Sequence, residues 1–372
     1  MKFAIITHVV HIRENNQYFG YGPYVREMNI WLKYVDEVII IAPVIKQNTC
    51  PIDLAYKHDL IILKRVPNFN FIGVGNIFRT LFKMPIILWN IFWAMKKADH
   101  IHLRCPGNMG LLGCLVQILF PNKIKTAKYA GNWDPKSKQP WSYRLQKWIL
   151  SNTFLTRNMQ VLVYGNWEKT TKNIKPFFTA TYSDNEKLPL NSVDLKQKIN
   201  FVFVGTLSSG KNPLYAIQLV ETLIKKGHDA KLDLYGEGIE RSVLENYIVE
   251  KELNDCVFLN GNQSKEVIIN AYQKSHFVIL PSKSEGWPKV IAEGMFWGCI
   301  PIATRVSCVP FMLDFGKRGV LLELDFNKDL AQIEEIINDK SVFIAKRTLA
   351  HKWSQQYTTD VFEAEIKKLL IK

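Results

Sequence analysis

The stretch from Ser275 to Thr304 leaves its backbone few options. Ser275-His-Phe-Val-Ile-Leu280 is a short apolar run with β-branched and aromatic residues, which reads as a buried strand. Pro281-Ser282-Lys-Ser-Glu285-Gly286-Trp287-Pro288 follows. Pro288 suits the first turn of a helix with apolar positions Val290, Ile291 and Phe296, and Gly298 is its stop. Ile300-Pro-Ile-Ala303 is the next strand. Strand, turn, helix and strand at this spacing build an open α/β sheet. The turn then lies at a strand's carboxyl end, where a helix's free N–H groups and dipole favour a phosphate.

Glu285 falls in the turn and Glu293 about a turn and a half into the helix. A carboxylate accepts hydrogen bonds from two vicinal hydroxyls, so this pair suits a ligand with hydroxyls at both ends of a diphosphate. Asn200-Phe-Val-Phe-Val204 is a second strand feeding a glycine-containing loop, Gly205-Thr206-Leu207-Ser208-Ser209-Gly210-Lys211-Asn212. Asn212 is expected to cap a helix that opens at Pro213 and stops at Gly227. A third module runs from Leu232 through Gly236-Glu237-Gly238, and Val257-Phe-Leu259 leads into Asn260-Gly261-Asn262-Gln263.

The Glu285-to-Glu293 segment resembles the glutamate–seven-residues–glutamate signature of retaining glycosyltransferases with the GT-B fold, family 4 type. That resemblance implies an α/β fold of two Rossmann-like domains facing across a cleft. It also implies that Glu285 contacts hydroxyls of a nucleoside-diphosphate sugar and Glu293 the ribose. The backbone of Gly286, Trp287, Pro288, Lys289 and Val290 would lie along the sugar and diphosphate. The 205–212 loop is similar to the family's Gly-Arg-Leu-x-x-x-Lys-Asn. Lys211 matches the lysine that neutralises the diphosphate, and Thr206 replaces the arginine beside Gly205. Gly236 and Gly238 match the nucleotide edge, and Asn262 lies where the base is placed. Glu285 and Lys211 are the expected catalytic groups, with no metal and no cofactor.

The first half carries the acceptor side of the resemblance. Met1-Lys-Phe-Ala-Ile-Ile6 reads as a strand, followed by a loop with Gly20 and Gly22, a helix from Val25 to about Lys33 and a strand from Glu37. Asp99-His-Ile-His102-Leu-Arg104 resembles an Asp-x-x-His-x-His segment with Arg104 in the second histidine's place. Ala130-Gly131-Asn132 stands where the family often has Ala-His-Gly. A guanidinium forks two donors, so Arg104 is expected to bind a phosphate or carboxylate of the acceptor. A short helix is expected over Trp167–Asn173.

A length of 372 residues accommodates two domains, 1–185 and 195–352, joined by the polar stretch Lys175–Asn200. A closing helix at about 355–372 is expected to pack back on the first domain. The six cysteines have no paired short spacing, which speaks for a cytoplasmic chain without zinc or disulfides, and no secretion leader is evident. The net charge of +14 suits anionic substrates or an anionic membrane face. Nucleic acid is the weakest partner, because no finger, aromatic RNA-binding signature or basic recognition helix is present. Phe69–Ala98 mixes Phe71, Ile72, Phe78, Leu81, Phe82, Trp89 and Trp93 with Arg79, Lys83, Lys96 and Lys97. It reads either as an element lying in a membrane interface or as a core-packed helix pair. Peripheral contact at the inner face of the plasma membrane fits a lipid-linked or polysaccharide glycan acceptor. A sugar-nucleotide epimerase and a non-catalytic nucleotide-sugar-binding scaffold are the competing readings.

Overall fold

The computed structural model describes residues 1–50, 52–67, 74–191, 195 and 198–370, without the side chains of 74–81. Phe71, Ile72 and the Ser192–Asp194 part of the expected linker lie outside the described residues, as do the side chains of Phe78, Arg79 and Leu81. The chain divides into two units, 1–177 with 362–372, and 178–361. The division falls at Phe177 rather than in the polar stretch near 185–195, because Ile174–Phe177 is already paired into the first sheet.

The first unit contains strands β1 (Lys2–Ile6), β2 (His11–Glu14), β3 (Gln17–Tyr21), β4 (Glu37–Ile45), β5 (Asp53–Ala55), β6 (Ile61–Val66), β7 (His100–Cys105), β8 (Ile124–Tyr129), β9 (Met159–Tyr164) and β10 (Ile174–Phe177). Its helices are α1 (Gly22–Leu32), α2 (Val74–Lys97), α3 (Asn108–Val116) and α4 (Trp141–Ser151). The parallel part runs in the order β10-β9-β8-β7-β1-β4-β6, which is the doubly wound order. Phe3–Ile6 of β1 and Val38–Ala42 of β4 are fully buried, as strands covered on both faces must be. Ile87, Ile91 and Met95 of α2, Met109 and Leu112 of α3, and Ile149 and Leu150 of α4 join sheet residues in one cluster, so these three helices share a face.

Three local expectations change. The segment with Gly20 is not a plain loop: β2 and β3 form an antiparallel hairpin in which Gly20 pairs with His11. Asn15 and Asn16, both at positive φ, make its turn. The described part of the 69–98 region, from residue 74, forms one helix, α2, which continues through Pro85, rather than a pair. Trp167–Asn173 forms turns instead of a helix, with Lys169 left-handed and the Trp167 indole donating to the Tyr164 carbonyl at 2.7 Å.

The second unit contains β11 (Ile199–Val204), β12 (Ala230–Tyr235), β13 (Val257–Leu259), β14 (Phe277–Leu280), β15 (Ile300–Thr304) and β16 (Val320–Leu322). Its helices are α5 (Pro213–Lys225), α6 (Arg241–Glu250), α7 (Lys265–Lys274), α8 (Lys289–Phe296), α9 (Val309–Met312), α10 (Phe326–Asn338) and α11 (Lys340–Ser354). All six strands are parallel, in the order β13-β12-β11-β14-β15-β16. The order reverses between β11 and β14, and the crevice at such a switch point is where open α/β sheets take ligands. Helix α12 (Thr359–Leu370) follows a break at 355–358, and from Phe362 it belongs to the first unit.

Candidate active site

The loops that leave β11, β12 and β13 are stitched together by their own backbones. Gly205 N–H donates to the Tyr235 carbonyl at 2.9 Å, Leu207 to Glu237 at 3.0 Å, and Gly236 to Gly261 at 2.8 Å. A side-chain carbon on Gly236 would overlap the Gly205 carbonyl oxygen, and one on Gly238 would overlap that of Leu207. These glycines are therefore required by close backbone approach. The result is a groove of about 230 Å³ lined by Gly205, Thr206, Gly236, Glu237, Asn262 and Gln263 among others. Four residues expected at the nucleotide, Gly205, Thr206, Gly236 and Asn262, thus meet in one recess.

Across the switch point, the β14 loop joins the β11 loop. Lys283 N–H donates to the Gly210 carbonyl at 2.9 Å. Lys211 Nζ donates to Glu285 Oε1 at 2.5 Å, with the glutamate nearly buried and the lysine about one-third exposed. The two expected catalytic groups, far apart in sequence, are therefore ion-paired where the sheet order reverses. Gly286 is held from beneath, its carbonyl accepting from Ser307 Oγ at 3.1 Å and Cys308 Sγ at 3.0 Å. Trp287 is buried against Trp353, with ring centres 6.1 Å apart, and Pro288 and Lys289 open α8. Val290 lies in the first turn of α8. The buried Ser282 hydroxyl has no hydrogen-bond partner among the described residues.

Glu293 stands apart from this set. Its Oε1 accepts from Thr181 Oγ1 at 2.7 Å and its Oε2 from the Tyr272 hydroxyl at 3.4 Å. It lines a small cavity with residues 179–182, Lys289 and Tyr357, separate from the groove at Gly236. Asn212 also departs from expectation. It precedes α5 in a left-handed conformation, φ 56°, and its side chain makes no capping bond. Its N–H instead closes the loop on the Ser208 carbonyl at 3.0 Å.

The residues expected on the acceptor side have structural work in the first unit. Gly20 lies in β3, and Gly22 donates its N–H to the Ile52 carbonyl at 2.9 Å, an approach that a side-chain carbon would obstruct. Asn132 Oδ1 accepts the Asp134 N–H at 2.8 Å, forming a local turn. Arg104 is not a free surface fork: it is largely buried, 3.6 Å from Glu27 Oε1 and above the Tyr24 ring. Glu27 also pairs with fully buried Lys128 at 2.8 Å. Lys128 sits among the rings of Tyr164, Phe177 and Phe362 at 5.0–5.5 Å.

Sequence reasoning placed the Asn260–Gln263 segment at the base, but missed Glu237 as a lining residue and Ser307 and Cys308 as the props of Gly286. Glu237 had a signal in its place between two glycines. Its carboxylate is steadied by Arg241 at 2.7 Å. Among the described residues no group of three or more His, Cys, Asp or Glu is arranged to hold a metal ion.

HepE from Anabaena, solved in complex with UDP, has this fold with a TM-score of 0.68 at 12% identity, over 100% of this chain and 99% of that one. Two units of doubly wound order, the second with a glycine-built groove beside its switch point, define the GT-B class of α/β protein. Residues 185–357 match the family model for glycosyl transferases group 1. An uncharacterized glycosyltransferase of Methanocaldococcus jannaschii is 30% identical over 142 residues, 38% of this chain and 39% of the relative. Another from Haemophilus influenzae is 26% identical over 188 residues, 50% of this chain and 53% of the relative. The matched segments thus span about half or less of these curated relatives' lengths.

Proposed function

We propose that this protein is a retaining glycosyltransferase that moves a sugar from a nucleoside-diphosphate sugar to an acceptor hydroxyl, on a lipid-linked or polysaccharide glycan precursor. The Lys211–Glu285 pair at the switch point carries this reading. Without donor the ammonium and carboxylate neutralise each other. A bound diphosphate offers Lys211 a more highly charged partner and frees Glu285 to accept from the sugar's hydroxyls. Thr206, Gly236 and Asn262 line the recess for the nucleoside. Glu293, now bonded to two hydroxyls, would exchange them for those of the ribose. UDP in the HepE structure favours a uridine donor.

The leaving diphosphate gains negative charge as the glycosidic bond breaks. Lys211 and the amino ends of α5 and α8 would stabilise it, and no metal is invoked. One preorganised donor of this kind contributes about 3–4 kcal/mol to the barrier. When attack comes from the face the leaving group departs, the departing phosphate oxygen takes the acceptor's proton, so no separate protein base is required. The reading is tested by screening sugar nucleotides for hydrolysis and thermal stabilisation. UDP-sugars should raise the melting temperature and release UDP. A full panel giving neither would sink the proposal, and stabilisation without turnover would favour the non-catalytic scaffold.

The acceptor is proposed to be met at an anionic membrane face. No described helix is long and apolar enough to cross a membrane. Phe82, Ile86 and Trp89 nevertheless occupy one exposed face of α2, Phe82 at 87% exposure. Leu115 of α3 and Trp141 and Trp148 of α4 are also exposed on the helical layer that packs beside it. Large apolar residues at that spacing, on a chain of net charge +14, suit insertion among anionic headgroups.

A further inference from the structure

At the carboxyl end of β4 the first sheet changes partners. β6 pairs with β4 from Val38 to Pro43, whereas β2 pairs with it at Val44 and Ile45. The β2–β3 hairpin and the end of β6 diverge there and leave a cavity of about 640 Å³, lined by Arg13, Tyr18, residues 44–48, Leu63 and Arg65. Arg13, Lys46 and Arg65 are its cationic lining, and no carboxylate is among the lining residues. Glu14 neighbours Arg13 on β2 and so points to the opposite face, where it accepts from Thr49 at 2.8 Å. Arg13 touches only neutral groups among the described residues: Asn16 Oδ1 at 3.3 Å and the Tyr18 ring at 5.9 Å. None of the three cations has an ion-pair partner among the described residues.

Like charges gathered around one cavity repel, and an anion placed between them removes that cost. Guanidinium forks match phosphate and carboxylate oxygens two at a time. The volume lies in the range of small-ligand sites, and Tyr18, Gln47 and Asn48 add an aromatic face and amides suited to hydroxyls. We propose that this cavity binds a sugar carrying an oxyanion, a phosphate or a carboxylate, as part of the acceptor. Naming the acceptor rests on the transferase reading; binding of the anionic sugar does not.

The test is calorimetric titration of the whole protein with glucose 1-phosphate, with UDP present to occupy the donor groove, against wild type, Arg13→Gln/Arg65→Gln and Arg13→Lys/Arg65→Lys. Wild type should bind glucose 1-phosphate and not glucose. The glutamine pair should weaken binding at least tenfold, the lysine pair should retain part of it, and stabilisation by UDP should be the same in all three. Both arginines are solvent-facing, so these variants should fold. Equal affinity in the glutamine pair, equal binding of plain glucose, or no binding would overturn the proposal. In a parallel arm, phosphatidylglycerol vesicles that depend on Arg13 and Arg65 while glucose 1-phosphate is ignored would reassign the cavity to a lipid headgroup and overturn it too. Failure of UDP to stabilise any form would instead count against the transferase reading alone.

Discussion

Individual side chains give the sharpest tests. Glu285→Gln keeps the shape of the carboxylate but not its charge, so turnover should fall by about 10²–10³-fold while UDP affinity holds or rises, since Lys211 loses its competitor. Lys211→Ala should lose both turnover and UDP affinity. Steady-state rates and calorimetry on the two variants separate these roles, and equal losses of UDP affinity would count against them. Gly236→Ala belongs here too. Its side-chain carbon would collide with the Gly205 carbonyl and its φ is +139°, so the groove cannot keep its form. The expected outcome is loss of UDP-induced stabilisation with the first unit's melting unchanged.

At the level of elements, α2 carries a prediction of its own. Phe82→Asp/Trp89→Asp removes apolar area from an already exposed face, so the fold should persist while co-sedimentation with phosphatidylglycerol vesicles falls severalfold. Undiminished sedimentation would exclude α2 as the docking element. The strand–loop–helix modules of the second unit were legible because each couples an apolar run to glycine or proline at a fixed offset. The β2–β3 hairpin was not, because His-Ile-Arg-Glu and Gln-Tyr-Phe-Gly-Tyr lack an apolar stripe and only Asn15-Asn16 marks the turn. The single helix through Pro85 escaped for the opposite reason: proline reads as a break, yet packing of Ile87, Ile91 and Met95 holds the helix together. At the site, residue types in the turns could be read directly. The Lys211–Glu285 pairing and the engagement of Glu293 with Thr181 arise from tertiary folding, for which no local periodicity exists.

Across the whole molecule, acid should act first on the 1–177 unit. Burial lowers His11 and His100 to about 4, and burial with neighbouring positive charge holds His102 well below its usual value. Thr126 Oγ1 bonds His100 and His102, each at 2.9 Å. Because these imidazoles are neutral when folded, the unfolded chain binds more protons between pH 6.5 and about 4. Their stability contribution is complete above 6.5 and is lost as pH falls through that window. Each of His11 and His100 accounts for roughly 3 kcal/mol at the extreme. Calorimetry between pH 7 and 4.5 should show this transition dropping, and a flat profile would contradict it. Phe362→Ala should lower the same transition by about 3–5 kcal/mol, since it opens the aromatic box around Lys128. The box also sets an order of assembly during synthesis. Its last wall, Phe362, emerges after every residue of the 178–361 unit, so a nascent chain completes the nucleotide-type unit while the earlier one still leaves its Lys128 ammonium open to water on that side.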